Sequence, residues 1–168
     1  MENMIKKSKE RGFTLIEILI VIGIIAVLAA IVLIAVNPAR QFAQANNTQR
    51  SSNVNAILNA VGQYVVDNKG MTSALEDEIP EGDEADAVEI GNGTDEADLC
   101  ELLVPTYISA LPADPSLPDQ SIPVTGEDCE DTYSTGYDIY RSDEGRIVIM
   151  APAAEEIDGT APPISVTR

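Results

Sequence analysis

The chain has 168 residues, 28 acidic side chains against 10 basic ones, a formal net charge of −18, two Cys, and neither His nor Trp. The lack of His excludes His-based nucleophilic triads and His-containing zinc sites, and two cysteines are too few for the usual cysteine-rich metal centres. The acidic surplus argues against a nucleic-acid partner, because phosphate contacts need basic patches.

The charge is unevenly placed. Before Phe13, Lys6, Lys7, Lys9 and Arg11 face Glu2 and Glu10, a local balance of +2. Residues 13–36 follow as an apolar run broken only by Thr14, Glu17 and Gly23. The uncharged part of this run, residues 18–36, would span roughly 28 Å as a helix, close to the ~30 Å hydrocarbon core of a bilayer. That is longer than the core of a removable secretory signal. Basic residues ahead of such a span predict a single crossing with the N-terminus in the cytoplasm.

Asn37-Pro38 predicts a helix that loosens around residues 34–38 and then restarts, since Pro lacks a backbone donor and turns its predecessor from α geometry. Residues 39–67 are polar overall. Val54, Ile57, Leu58, Val61 and Val65, flanked by Tyr64, form one apolar stripe of an amphipathic helix. Gly70 is the expected stop. Residues 71–98 are acidic and poor in aromatics, which predicts an exposed loop with at most a short helix. Residues 99–111 regain apolar character, as a short helix ending before Pro105. The four prolines of residues 112–123 exclude continuous helix or central strand. Residues 135–141 and 146–150 flank Ser142-Asp143-Glu144-Gly145, the spacing of a β-hairpin, and residues 164–167 suit a third strand. The expected fold is α+β: a long N-terminal helix, its first half suited to a membrane and its second amphipathic, packed on a small antiparallel sheet in a head that carries 24 acids against three arginines over residues 70–168.

The most specific pattern is Lys9-Glu10-Arg11-Gly12-Phe13-Thr14-Leu15-Ile16-Glu17: a short basic leader ending in Gly, then Phe, then a lone Glu five residues into the apolar run. It resembles type IV prepilins and related type IV pilin-like proteins, including the pseudopilins of type II secretion. The resemblance is tight over residues 6–36 and continues, in architecture alone, to the C-terminal hairpin. It implies a leader at 1–12, a membrane or filament-core helix at 13–37, an amphipathic helix at 38–69 and a globular head at 70–168. It further implies cleavage between Gly12 and Phe13 by a membrane-embedded prepilin peptidase, N-methylation of Phe13, and polymerisation of the apolar helices into a filament with the help of an inner-membrane platform protein and an assembly ATPase. The partners so implied are lipid before assembly and other copies of the chain afterwards. In many Gram-negative pilins a proline lies inside the later half of the apolar helix; here the first, Pro38, lies just beyond it.

Glu17 also has a physical argument of its own. A carboxylate within an apolar span must pair or reach water, either by snorkelling to the headgroups or by pairing with the new amino group of Phe13, which the resemblance places on a neighbouring subunit. Cys100 and Cys129 both fall on the expected outer side, where an even count favours a disulfide over free buried thiols; pilins often staple a C-terminal loop in this way. No cofactor is expected. The acidic clusters invite a calcium reading, with Asp114 and Asp119 of the proline-rich loop as candidates, but no ordered ligand pattern accompanies them and a solvated acidic surface is the preferred reading. Asn46-Asn47-Thr48 and Asn92-Gly93-Thr94 match glycosylation sequons. With no nucleophile–base pair in view, the chain reads as a structural subunit of a type IV pilus and not as an enzyme. A pseudopilin of a secretion or competence system is the alternative, and a surface anchor that never polymerises a more distant one.

Overall fold

The computed structural model describes residues 12–35, 37–117 and 122–168. The basic leader before Gly12, Val36 and the candidate ligand Asp119 lie outside them. By its internal contacts the chain divides into two units, Met1–Ala39 and Arg40–Arg168.

In the first unit, helix α1 runs from Leu15 to Ala35, 21 residues with Glu17 as the one charge. Its stretch Leu15–Leu33 is long and apolar enough to cross a membrane. Every side chain described on it is exposed; Leu15 is 82% accessible and Ile24, mid-helix, 56%. Large aliphatic groups left bare on all sides belong to a helix made for lipid or for other helices. Helix α2, Pro38–Asp67, starts on a proline, where the missing donor costs nothing because the first turn has no acceptor for it. The interruption expected around residues 34–38 is thus present.

Within the second unit, α2 buries Ala43, Asn47, Arg50, Val54, Ile57, Leu58, Val61 and Tyr64. The predicted apolar stripe is there, with Val65 half-buried, but it extends two turns toward the N-terminus through polar residues that hydropathy does not mark as core. Beyond the helix end at Asp67, the Gly70 N–H donates back to Val65 O at 2.9 Å. The left-handed position is Lys69, at φ 61°, with Gly70 following at φ 136°; the stop is where expected, and a lysine takes the strained conformation.

A four-stranded antiparallel sheet of order β1-β2-β3-β4 packs on this helix: β1 Val88–Gly91, β2 Ser134–Arg141, β3 Ile147–Met150 and β4 Ser165–Thr167. The hairpin β2–β3 pairs Ile139 with Ile149 and turns through Gly145 at φ 76°, and β4 supplies the expected third strand. Tyr137, Ile139 and Ile149 are fully buried in one cluster with Val54, Ile57 and Val61 of α2. Alternation along β2 sends the intervening side chains outward.

The acidic segment 71–98 holds the short helix expected of it, α3, Ser73–Glu78, and departs from an exposed loop in adding a 3-10 turn at Glu84–Asp86 and β1, the edge strand opposite β4. Leu75, Ile79, Ile90 and Ala97 are buried to 1% exposure or less. Composition registers the many acids on its outer face, while four apolar side chains spread over more than twenty residues are enough to seat it. The short helix expected to end before Pro105 is α4, Cys100–Leu103.

Candidate functional site: the helix start and the head

The start of α1 is built from three hydrogen bonds. The Thr14 N–H and hydroxyl both donate to Glu17 Oε2, at 2.7 and 2.8 Å, and the Glu17 N–H donates to Thr14 Oγ1 at 3.2 Å. This reciprocal capping box supplies acceptors for donors that a first helical turn leaves bare. It also gives the one carboxylate of the apolar helix two donors within its own chain, which lowers the cost of carrying that charge into apolar surroundings. The T-x-x-E spacing of this box is a local pattern of the sequence. Gly12 and Phe13 lie ahead of the helix, both exposed, and among the described residues nothing beyond the chain neighbours approaches within 4 Å of where a Gly12 side chain would sit. The Gly12–Phe13 bond is therefore held outside helical structure and open.

Residues 7–33 match the family model of the prokaryotic N-terminal methylation motif. A stretch of 63 residues is 43% identical to the type IV wide pilus major component PilA4 of Thermus thermophilus, covering 38% of this chain and 47% of that protein. Over these stretches the chain is similar to type IV pilins. Its match spans about half the length of that curated relative. No solved structure matches it.

In the head, Cys100 and Cys129 form the expected disulfide, with Cα atoms 5.5 Å apart and both residues buried. It ties the start of α4 to the turn ahead of β2 and closes residues 100–129. Beside it the Tyr133 hydroxyl donates to Asp98 Oδ1 at 2.8 Å and accepts from the Cys100 N–H at 3.2 Å; burial, reinforced by Asp98, pushes its pKa well up. The cysteine ends of the loop are thus held by a phenol as well as by the covalent bond.

The polar centre of the head is one that sequence reasoning missed. Arg50 of α2 is fully buried and grips Asp114 of the proline-rich loop through both carboxylate oxygens, Nε to Oδ2 at 2.7 Å and Nη2 to Oδ1 at 3.0 Å. Its Nη1 also donates to Asn47 Oδ1 at 2.9 Å and to Glu155 Oε1 at 3.2 Å, and its Nη2 to Ser116 Oγ at 3.1 Å. One turn along, Asn53 donates to the Tyr137 hydroxyl at 2.8 Å and to Ala113 O at 3.2 Å. Burial works to raise the Asp114 pKa, but the hydrogen bonds from Arg50 and Ser116 outweigh it and the net shift is downward. Burial pushes the Tyr137 phenol up to about 12. A cation paired in fork geometry and satisfied on every arm is the form in which a buried arginine is tolerated.

Of the two calcium candidates, Asp114 is the one described, and its carboxylate is committed to other partners. Asp114 does not face an open loop; its two oxygens are engaged by Arg50 and by the N–H and hydroxyl of Ser116. Among the described residues no three carboxylates or thiolates gather closely enough to share an ion. Several acids of the clusters serve local backbone instead: Asp83 and Asp86 cap the 3-10 turn, and Asp128 accepts from the N–H and hydroxyl of Thr125. The sequon asparagines are also in use. Asn46 donates to Glu155 at 2.6 Å, and Asn92 donates to Asp131 O while accepting from the Tyr133 N–H.

Proposed function

We propose that the chain is the structural subunit of a type IV pilus. One observation carries the reading: a 21-residue apolar helix, bare on its described faces, begins two residues after an exposed Gly12–Phe13 junction and has Glu17 as its one charge. Residues 1–12 act as a leader that holds the N-terminus in the cytoplasm. A membrane-embedded prepilin peptidase cuts between Gly12 and Phe13, and the new amine of Phe13 is methylated. The mature side-chain charge falls from −18 to −20 as the +2 leader is lost.

Residues 13–37 wait in the inner membrane, with the head outside, and then move into a bundle of like helices that forms the filament core; residues 38–69 and 70–168 form the rod and skin above it. A bundle of aliphatic side chains replaces lipid contacts at little cost, so association follows from close packing, for which Gly23, Ala26, Ala29 and Ala30 leave room. The carboxylate of Glu17 exchanges its donors on Thr14 for the positive amine of Phe13 on a neighbouring subunit. An ion pair is stronger in such a bundle than in water, and it fixes axial register. Platform protein and ATPase come from elsewhere, and the chain itself performs no chemistry. A filament is favoured over a secretion pseudopilus because the relative it matches is a pilus component.

The test is electron microscopy of sheared surface material together with mass spectrometry of the subunit N-terminus. Filaments whose subunit begins at methylated Phe13 are expected. An uncut chain beginning at Met1 and confined to membranes refutes the proposal.

A further inference from the structure

The surface of the head is overwhelmingly acidic, and faces that display such charge repel their counterparts on other copies. At least one groove departs from this. It runs between α2 and the free edge of β4, encloses about 690 Å³, and none of its lining side chains is charged. Val54 forms its buried floor with the half-buried Ile164 and Val166, and the exposed Gln44, Thr48 and Ser51 stand along its rim.

The strand edge beside the groove carries backbone groups to match. β4 ends the sheet. Ile147 and Arg168 exchange both of their backbone hydrogen bonds, at 2.9 and 3.0 Å, and Ser165 and Thr167 stand at the alternate positions of that ladder, opposite Met150 and Val148. In an antiparallel pair such alternate residues point their N–H and C=O away from the partner strand. An edge of this kind accepts an extended segment.

The occupant that fits is a second copy. A cationic ligand would be drawn to the carboxylates elsewhere on the head, whereas an uncharged groove is where a like-charged neighbour can come within contact distance. The head also offers something apolar to seat there. Ile122 is 74% exposed; among the described residues of the second unit the other large apolar side chains so exposed are Phe42 and Val66, both fixed on the flank of α2. Ile122 stands on the loop closed by the Cys100–Cys129 bond, ahead of Pro123, and borders a separate hollow with Tyr133 and Ser134 that shares no lining residue with the groove. Donor and acceptor are different surfaces, so the contact is heterologous and repeats from copy to copy, as an open polymer requires.

We propose that the groove between α2 and β4 receives the exposed Ile122 side chain of a neighbouring copy. The proposal rests on the polymerising reading above, and a weak contact suffices because the filament multiplies it. The test introduces the photo-crosslinker p-benzoylphenylalanine at Ser51, and in parallel at Thr48, of the full chain in producing cells. Irradiation is expected to give a dimer-sized adduct that digestion maps to the peptide containing Ile122. Ile122→Asp, which would carry a charge into the groove, should lower its yield about tenfold, with the disulfide and the amount of chain in membranes unchanged. An adduct on another segment or another protein, or none at either position from chain present in normal amount, overturns the proposal. An adduct without filaments sustains this contact and refutes the polymer; filaments without the adduct sustain the polymer and refute this contact.

Discussion

Replacing Arg50 with Met removes the guanidinium and keeps most of the buried stem. Asp114 is then left fully buried with only Ser116 donating to Oδ1, at 2.8 and 2.6 Å, and with the Arg50 donor to Oδ2 gone. Stranding one member of a buried ion pair costs about 3–5 kcal/mol. Glu155 loses one donor as well, but it is about a third exposed and can turn to water. For a head of this size that loss corresponds to a melting point lower by roughly 10–20 °C. The companion variant, Arg50→Met with Asp114→Leu, removes both charges; Ser116 is exposed and rehydrates, so most of the loss should return. Thermal unfolding of the detergent-solubilised full chain, followed by near-ultraviolet circular dichroism of its tyrosines, reads both. A single variant that loses less than about 1 kcal/mol, or a double variant as unstable as the single one, would refute the stranded-charge argument. The pH dependence has a definite sign. The folded Asp114 pKa lies below its unfolded value, so its contribution is present above the unfolded value near 4 and disappears as pH falls through the folded one.

Three further outcomes are expected. Glu17→Val should insert in membranes at the normal level yet form few or no filaments, since the capping bonds it loses are local while the proposed ion pair with a neighbour's Phe13 amine can no longer form; a normal filament count by electron microscopy would contradict this. Asp138→Asn should stabilise the head at neutral pH: burial and then Glu89, its cross-strand partner, raise the Asp138 pKa, so the carboxylate's penalty is absent below the unfolded value near 4 and grows as pH rises through the folded pKa. Equal melting points for the variant and the wild-type chain at pH 7 would count against it. Replacing Cys100 and Cys129 together with Ala should cost roughly 3–4 kcal/mol by the chain entropy of a loop with sequence separation 29; unchanged denaturant midpoints would show that the loop is held by Tyr133 and packing alone.

What was legible in the sequence was local. Residues 13–36 and the stripe from Val54 to Val65 declare their helices because 3.6-residue periodicity and span length are properties of adjacent residues. The hairpin around Ser142–Gly145 is set by a turn and two short strands, and the Thr14–Glu17 capping box lies within four residues. The Gly12–Phe13 junction with Glu17 five residues into the span carried the family resemblance without any fold.

Tertiary structure alone decided the rest. β1 is four residues in an acidic segment, and it is a strand because Val88 and Glu89 meet Ile139 and Asp138 some fifty positions away. Arg50 looks like one charge on a polar helix, and Asp114 like one acid in a proline-rich loop. They become a buried pair only when the 63 residues between them fold back, and that pairing engages both oxygens of Asp114. The uncharged groove joins residues 44–55 to 157–166, and no window of sequence contains both. Local pattern fixes what a segment can form and which face is apolar; the choice of partner for a buried charge or a free strand edge depends on what the rest of the chain brings alongside, because desolvation and pairing are settled in space.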